Sequence, residues 1–234
     1  MAPQYDRQLI IGLQRDDIII DTTATFLARK NQFAPNFKSQ ILWLDRATSL
    51  APTLAVAGRP FAQLKAAIEQ LTQHSRLYLT GHGDDTHLFV GGWRASELAN
   101  LLCTAGLRRV KTVSLVACGS SGNPAVRWDQ EAGAMTFASQ LANKLALLDV
   151  ETNLYARCYR VGVHEFQVQF DQEHRIPTGH KFAFMKQTRA TEADAFVHKR
   201  PHSKIMYRIS RGTVDAAWVD YPDAHGEDAA GFNE

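Results

Sequence analysis

The sequence predicts an α/β domain, a mostly parallel sheet flanked by helices with β-hairpins in its C-terminal third, and three observations carry that prediction. Apolar runs of strand length alternate with stretches of helical periodicity up to about residue 160, and such alternation implies parallel strands joined by right-handed crossovers. Beyond that point the pattern changes to short alternating pieces, among them HEFQVQF (164–170) and KIMYRIS (204–210), which read as hairpin strands. The chain is also long enough, since 234 residues at 45% hydrophobic content can bury a substantial core.

Each element has its own local reason. RQLIIGL (7–13) is a short apolar run without breakers, hence a buried strand. DDIIIDTTATFLARK (16–30) is ambiguous: its β-branched residues favour a strand, while Asp16 and Asp17 can open a helix with basic residues at its far end. QILWLD (40–45) is a strand. PFAQLKAAIEQLTQ (60–73) starts with proline in a first turn and spaces Phe61, Leu64, Ile68 and Leu71 as a helix does. RLYLT (76–80) is a short strand stopped by Gly81. SELANLLCTAG (96–106) opens on a Ser cap, runs Leu98, Leu101 and Leu102 along one face, and ends at Gly106. KTVSLVA (111–117) is another buried strand halted by glycine, and GAMTFASQLANKLALL (133–148) is an amphipathic helix.

Composition excludes several classes. Only 15 Gly and 8 Pro argue against collagen-like or low-complexity sequence, and no apolar run approaches the roughly 20 residues that span a bilayer. The opening MAPQYDRQLI is unlike a secretory leader, with Asp6 and Arg7 ahead of a short apolar run. Net charge is +2, but it divides. Residues 157–211 hold eleven Lys/Arg against five Asp/Glu, together with five of the nine histidines, whereas 212–234 hold six Asp/Glu and no Lys/Arg. A basic segment before an acidic tail suggests a polyanionic partner or a self-masking tail, against the plainer alternative of a solvated face and a frayed end. Cys103, Cys118 and Cys158 are too few for a disulfide framework and lack CxxC metal spacing, so reduced thiols are expected and a metal is not.

Two segments share one design. In RLYLT-Gly81-His82-Gly83 and TVSLVA-Cys118-Gly119, an apolar strand ends at a polar residue with glycine beside it. Ligands of open α/β sheets bind beyond the carboxyl ends of the strands, so adjacent parallel strands would present His82 and Cys118 side by side. A nearby imidazole raises the reactive thiolate fraction of a cysteine and can protonate a leaving amine. The N–H groups of Gly83 and Cys118 can face the developing oxyanion. Taken singly, Cys118 reads equally as a small buried hydrophobe and His82 as a turn residue.

LYLTGHG and VSLVACGSS resemble the His-Gly and Ala-Cys strand ends of the caspase-like (clan CD) cysteine peptidases. Within that clan the chain is most similar to the autoprocessing cysteine protease domain of MARTX toxins and large clostridial toxins. QYDRQLII (4–11) resembles the opening strand of that domain, ILWLD (41–45) its second, and HLFVGGWRASELANLL (87–102) the segment after its catalytic histidine. The resemblance covers residues 4–160 well and 161–210 loosely. It implies a caspase-like sheet with a C-terminal β-hairpin flap and a protease domain over 1–211, with flap and closing strand at about 161–211; residues 212–234 read, from their charge, as an acidic tail. It further implies a thioester mechanism with Cys118 as nucleophile and His82 as acid and base. Asp45 matches the aspartate that orients the histidine in some members; it reads equally as a strand-end turn residue, and a dyad without it stays open.

The resemblance also implies allosteric activation by inositol hexakisphosphate, bound in a basic cleft beside the flap, with no cofactor for catalysis. HRIPTGHK (174–181) then offers Arg175 and Lys181, KIMYRIS offers Lys204 and Arg208 on one face, and Lys30 matches another basic position, although each reads equally as a plain surface charge. Family members cleave themselves after a leucine just upstream of the domain, and Leu9 lies inside a core strand. The expected setting is therefore a piece of a larger toxin or a stand-alone bacterial effector, monomeric and acting on protein in the reducing cytosol of a host. The alternative is an inositol-phosphate-binding module on a catalytically inactive scaffold, against which the intact His82 and Cys118 speak. Nucleic-acid binding has no zinc finger or RNP-like motif behind it, and an α/β-hydrolase would need a GxSxG elbow that the chain lacks.

Overall fold

Apolar strands set the centre of the molecule. The computed structural model describes residues 5–29, 37–44, 59–83, 88–117, 136–157, 160–164, 184–188 and 204–219. In chain order these form β1 (Arg7–Gly12), α1 (Ile18–Arg29), β2 (Lys38–Trp43), α2 (Arg59–Ile68), β3 (Arg76–Thr80), β4 (Phe89–Val90), β5 (Trp93–Arg94), α3 (Ala95–Thr104), β6 (Arg109–Val116), α4 (Phe137–Leu147), β7 (Glu151–Arg157), β8 (Arg160–His164), β9 (Phe184–Thr188), β10 (Lys204–Ser210) and β11 (Thr213–Trp218). A seven-stranded sheet has the order β11-β10-β7-β6-β3-β1-β2. Its strands from β2 to β7 run parallel, and β10 and β11 are antiparallel. The expected α/β class is therefore present, with β4–β5 and β8–β9 as separate hairpins.

Register sets an apolar row on one sheet face and a polar row on the other. One row runs Leu9, Leu77, Val113, Leu154, Tyr207 and Ala216 across neighbouring strands. It belongs to the main core, which α2, α3 and α4 fill with Leu64, Leu98, Leu102, Phe137, Leu141 and Leu145. Phe137 is fully buried, and truncating such a ring to alanine costs about 3–5 kcal/mol. The adjacent row, pointing to the other face, is polar across all seven strands: Ser39, Gln8, Arg76, Thr112, Asn153, Arg208 and Asp215. On that face α1 adds a smaller cluster in which Ala24 and Leu27 meet Ile10, Tyr78 and Val116.

Residues 18–29 resolve the ambiguous segment as a helix. Asp17 accepts the N–H groups of Ile19 and Ile20 at 2.9 and 3.1 Å, an N-cap that satisfies two of the free amides of a first turn. Ile20, Ala24 and Leu27 then recur at helical spacing on the buried side. At the far end Gln8, wholly buried, donates its Nε2 to the carbonyl of Leu27 at 2.7 Å and to Ser39 Oγ at 2.9 Å.

Some expectations change. Ser96 is not the cap of α3. The helix begins at Ala95 directly after the β4–β5 hairpin, its N-cap is Arg94, and Glu97 accepts the Arg94 N–H at 3.1 Å. Its end at Gly106 stands, with φ +106° and Leu107 N–H reaching the Leu102 carbonyl. α2 stops at Ile68 rather than 73, because the following turn is drawn toward β1: Thr72 Oγ1 and Ser75 Oγ both donate to Asp6. KIMYRIS forms β10 but does not close the sheet; Thr213–Trp218, within the stretch read as an acidic tail, pairs with it as β11 and packs Val214, Ala216 and Trp218 against the core. Of HEFQVQF only His164, the end of β8, lies within the described residues.

Candidate active site

His82 sits where β3 leaves the sheet, and backbone contacts fix it on several sides. The Leu13 N–H donates to the Thr80 carbonyl at 2.9 Å, which ties the exits of β1 and β3 together. Gln14 Oε1 accepts the His82 N–H at 2.7 Å, and the His82 carbonyl accepts the Gly91 N–H at 2.8 Å. Gly83 is bridged to Val90. Gly91 has φ +57°, and a Cβ there would lie 2.4 Å from Leu13 Cβ, so only glycine lets the β4–β5 hairpin approach this closely. A Cβ on Gly81 would meet the Gly91 backbone at 3.1 Å.

The ring of His82 is held by Asp17. His82 Nε2 lies 2.9 Å from Asp17 Oδ2, while Oδ1 of the same carboxylate caps α1. Burial works to raise the Asp17 carboxyl. The hydrogen bonds from the Ile20 N–H and from His82, with the attraction of the ring, outweigh it and hold the group below its ordinary value. An ionised carboxylate only accepts, so His82 donates from Nε2 and its Nδ1 is left to take or give a proton.

β6 continues the arrangement. Thr80 pairs with Val116 in parallel register, and the Gly81 N–H points to the Val116 carbonyl at 3.4 Å. Ala117 is buried and ends this described stretch; Cys118 follows it in the chain and lies outside the described residues. Asp45 also lies outside them. It follows Leu44, whose N–H donates to the Gly12 carbonyl and whose carbonyl accepts from Trp93 Nε1. The carboxylate found on His82 is that of Asp17, which sequence reading weighed only as a helix opener. The signal for it was present: β1 and β3 are parallel neighbours, so a helix cap just after β1 stands beside the residue just after β3.

The basic candidates divide likewise. Lys30, Arg175 and Lys181 lie outside the described residues. Lys204 and Arg208 alternate on one face of β10, Lys204 buried with its Nζ 4.4 Å from the Tyr155 ring centre and Arg208 exposed opposite Asp215. Arg76, not singled out in the sequence, shares the polar row with Arg208. It is buried between the Tyr5 and Tyr78 rings, gives Nη1 to the Tyr78 hydroxyl at 2.8 Å, and its Nε has no hydrogen-bond partner among the described residues.

A carboxylate-held histidine at the carboxyl end of a parallel strand, beside a strand that leads into a cysteine, marks the class of α/β cysteine hydrolases with caspase-like architecture. The Peptidase C80 family matches residues 3–167. The chain belongs to that family, the cysteine protease domains of MARTX and clostridial toxins, and is a cysteine-type endopeptidase whose substrate is protein. No curated protein matches the chain closely enough to count as similar. Among the described residues no helix is long and apolar enough to cross a membrane.

Proposed function

We propose that Cys118 is the nucleophile of this endopeptidase, His82 its acid and base, and Asp17 the group that orients the histidine. The observation that carries this reading is the Asp17–His82 contact at the end of β3, in register with the strand that leads to Cys118. The Cys118 sulfur bonds to the substrate carbonyl carbon, with its proton passing to His82 Nδ1. The amide C–N bond breaks as that proton moves to the leaving amine. Water then cleaves the thioester, returning the proton to sulfur through His82. The N–H groups of Gly83 and Cys118 stabilise the oxyanion, a contribution of a few kcal/mol where such donors are preorganised. Asp45 is the alternative orienter.

Inositol hexakisphosphate is the proposed activator, drawn to the polar sheet face by Lys204 and Arg208, and the family resemblance adds Lys30, Arg175 and Lys181 as further ligands. Arg76, buried on the same face, adds its positive charge beneath them. Three cysteines, too few for a disulfide framework, fit action in the reducing cytosol of a host after delivery from a bacterium, on the parent toxin or on a host protein, and the protein is taken to act as a monomer. The test is the intact mass of the protein, and of a denatured protein substrate, with and without inositol hexakisphosphate in wild type and Cys118→Ala. Ligand-dependent cleavage by wild type alone is expected; equal cleavage by Cys118→Ala would overturn the assignment. Lys204→Met should reduce the rise in melting temperature that the ligand produces.

A further inference from the structure

β1 hands over its last rung to a side chain at the residue beside the histidine. Gly12 pairs with Thr80, and the Leu13 N–H reaches the Thr80 carbonyl at 2.9 Å. The next rung of a parallel ladder would join the His82 N–H to the Leu13 carbonyl. Gln14 supplies it instead, its Oε1 accepting the His82 N–H at 2.7 Å. Because the main-chain N–H only donates, the group that faces it must be the amide oxygen of Gln14.

A side chain in place of the main chain lets β1 turn away early. Arg15 and Asp16 form a turn, and Asp17 caps α1. Had β1 run on as a strand to hold His82 itself, residue 17 would lie about 13 Å beyond Leu13. Instead Asp17 Oδ2 is 2.9 Å from His82 Nε2. Two side chains three positions apart therefore hold one histidine at two points, Gln14 at the main chain and Asp17 at the ring.

We infer that Gln14 is a positioning residue for the peptidase reaction: by accepting the His82 N–H it fixes the main chain from which the ring reaches Asp17, and so fixes where Nδ1 meets the thiol and the leaving amine. This role rests on His82 being the acid and base of the reaction. A neutral amide has no proton to exchange there, so Gln14 acts only through His82. Without its bond the ring stays tied to Asp17, but the histidine can pivot about that contact and carry Nδ1 out of line. Misplacement of this kind is felt in the chemical step rather than in substrate binding.

The test compares wild type, Gln14→Met and Gln14→Glu as full chains, with and without inositol hexakisphosphate, on one denatured, fluorescently labelled protein substrate, alongside thermal melting. Methionine keeps the length of the side chain and loses the acceptor; glutamate keeps both. Gln14→Met should lower kcat by about tenfold, the upper end of what one neutral hydrogen bond controls, with KM within about twofold of wild type. Gln14→Glu should recover most of kcat. Equal kcat in Gln14→Met and wild type, an equal fall in both variants, or a fall in Gln14→Met confined to temperatures where it has begun to melt overturns the positioning role alone. Absence of cleavage by wild type overturns the reading of His82 as acid and base, and this role with it.

Discussion

Replacing Asp17 separates its two jobs, because each oxygen of the carboxylate has a different partner. Oδ1 caps α1 and Oδ2 holds His82. In Asp17→Asn the amide oxygen can still accept from Ile19 and Ile20, and asparagine is among the best capping residues. Its NH2 group, however, is a donor. Facing Nε2 it favours the tautomer protonated on Nδ1, which leaves the nitrogen meant for the thiol unable to take a proton. In Asp17→Ala the cap is lost, at about 1 kcal/mol, while the ring is free to adopt either tautomer. Stability should therefore run wild type, Asp17→Asn, Asp17→Ala, whereas activity should place Asp17→Asn lowest.

The size of the catalytic loss follows from the exposure of the pair. Hydrogen bonds to charged groups are worth about 1.5–3 kcal/mol, and the side chains of His82 and Asp17 are 40% and 32% exposed, so solvent screening puts this one at the lower end. That corresponds to about a tenfold fall in kcat/KM. Thermal unfolding and peptide cleavage by both variants, with Asp45→Asn alongside, give the answer. If activity simply follows stability, with Asp17→Ala the worse enzyme, Asp17 is a helix cap and nothing more. A larger loss in Asp45→Asn would move the orienting role there.

Gly91→Ala should lower stability by at least ~1–2 kcal/mol for the left-handed backbone alone, or about 2–8 °C in melting temperature, and should reduce cleavage because the Gly91 N–H anchors the His82 carbonyl. Burial pushes the Cys103 thiol up to about 11 despite the opposing charges of Arg108 and Lys144. Mass mapping should thus find Cys103 unlabelled by iodoacetamide at pH 7.5 in the folded protein and labelled after denaturation; native labelling would contradict its burial. Asp6 also sits below its ordinary 3.8, since hydrogen bonds from Thr72 and Ser75 outweigh the effect of burial. Carboxyls lowered on folding stabilise fully above the unfolded value and lose that contribution as pH falls through the folded one. Melting temperature should accordingly hold to about pH 5 and drop below pH 4, with a shallower drop in Asp6→Asn.

What the sequence made legible was local, and what it hid depends on which strands become neighbours. RLYLT and KIMYRIS form strands at the expected bounds because an unbroken apolar or alternating run, flanked by turn residues, has no competing structure. Residues 18–29 were undecidable locally: Ile18, Ile19, Ile20, Thr22 and Thr23 favour a strand, and only the Asp17 cap and a core contact for every turn reverse that preference. Ser96 looked like a cap because nothing in its vicinity reveals that the β4–β5 hairpin runs straight into the helix. The Asp17–His82 contact spans 65 positions and exists because β1 lies between β2 and β3. The polar row is of the same kind. Ser39, Gln8, Arg76, Thr112, Asn153, Arg208 and Asp215 come from seven separate segments, and each alone reads as an ordinary strand residue. Aligned by register they fall at exposed and buried positions alike: Ser39, Arg208 and Asp215 are exposed, whereas Gln8 and Arg76 are buried, and among the described residues Gln8 Oε1 and Arg76 Nε have no hydrogen-bond partner. Arg76 is held by the Tyr5 and Tyr78 rings and by the Tyr78 hydroxyl, and its charge, on the same face as Arg208, adds to the positive potential on which the proposed polyanion site relies.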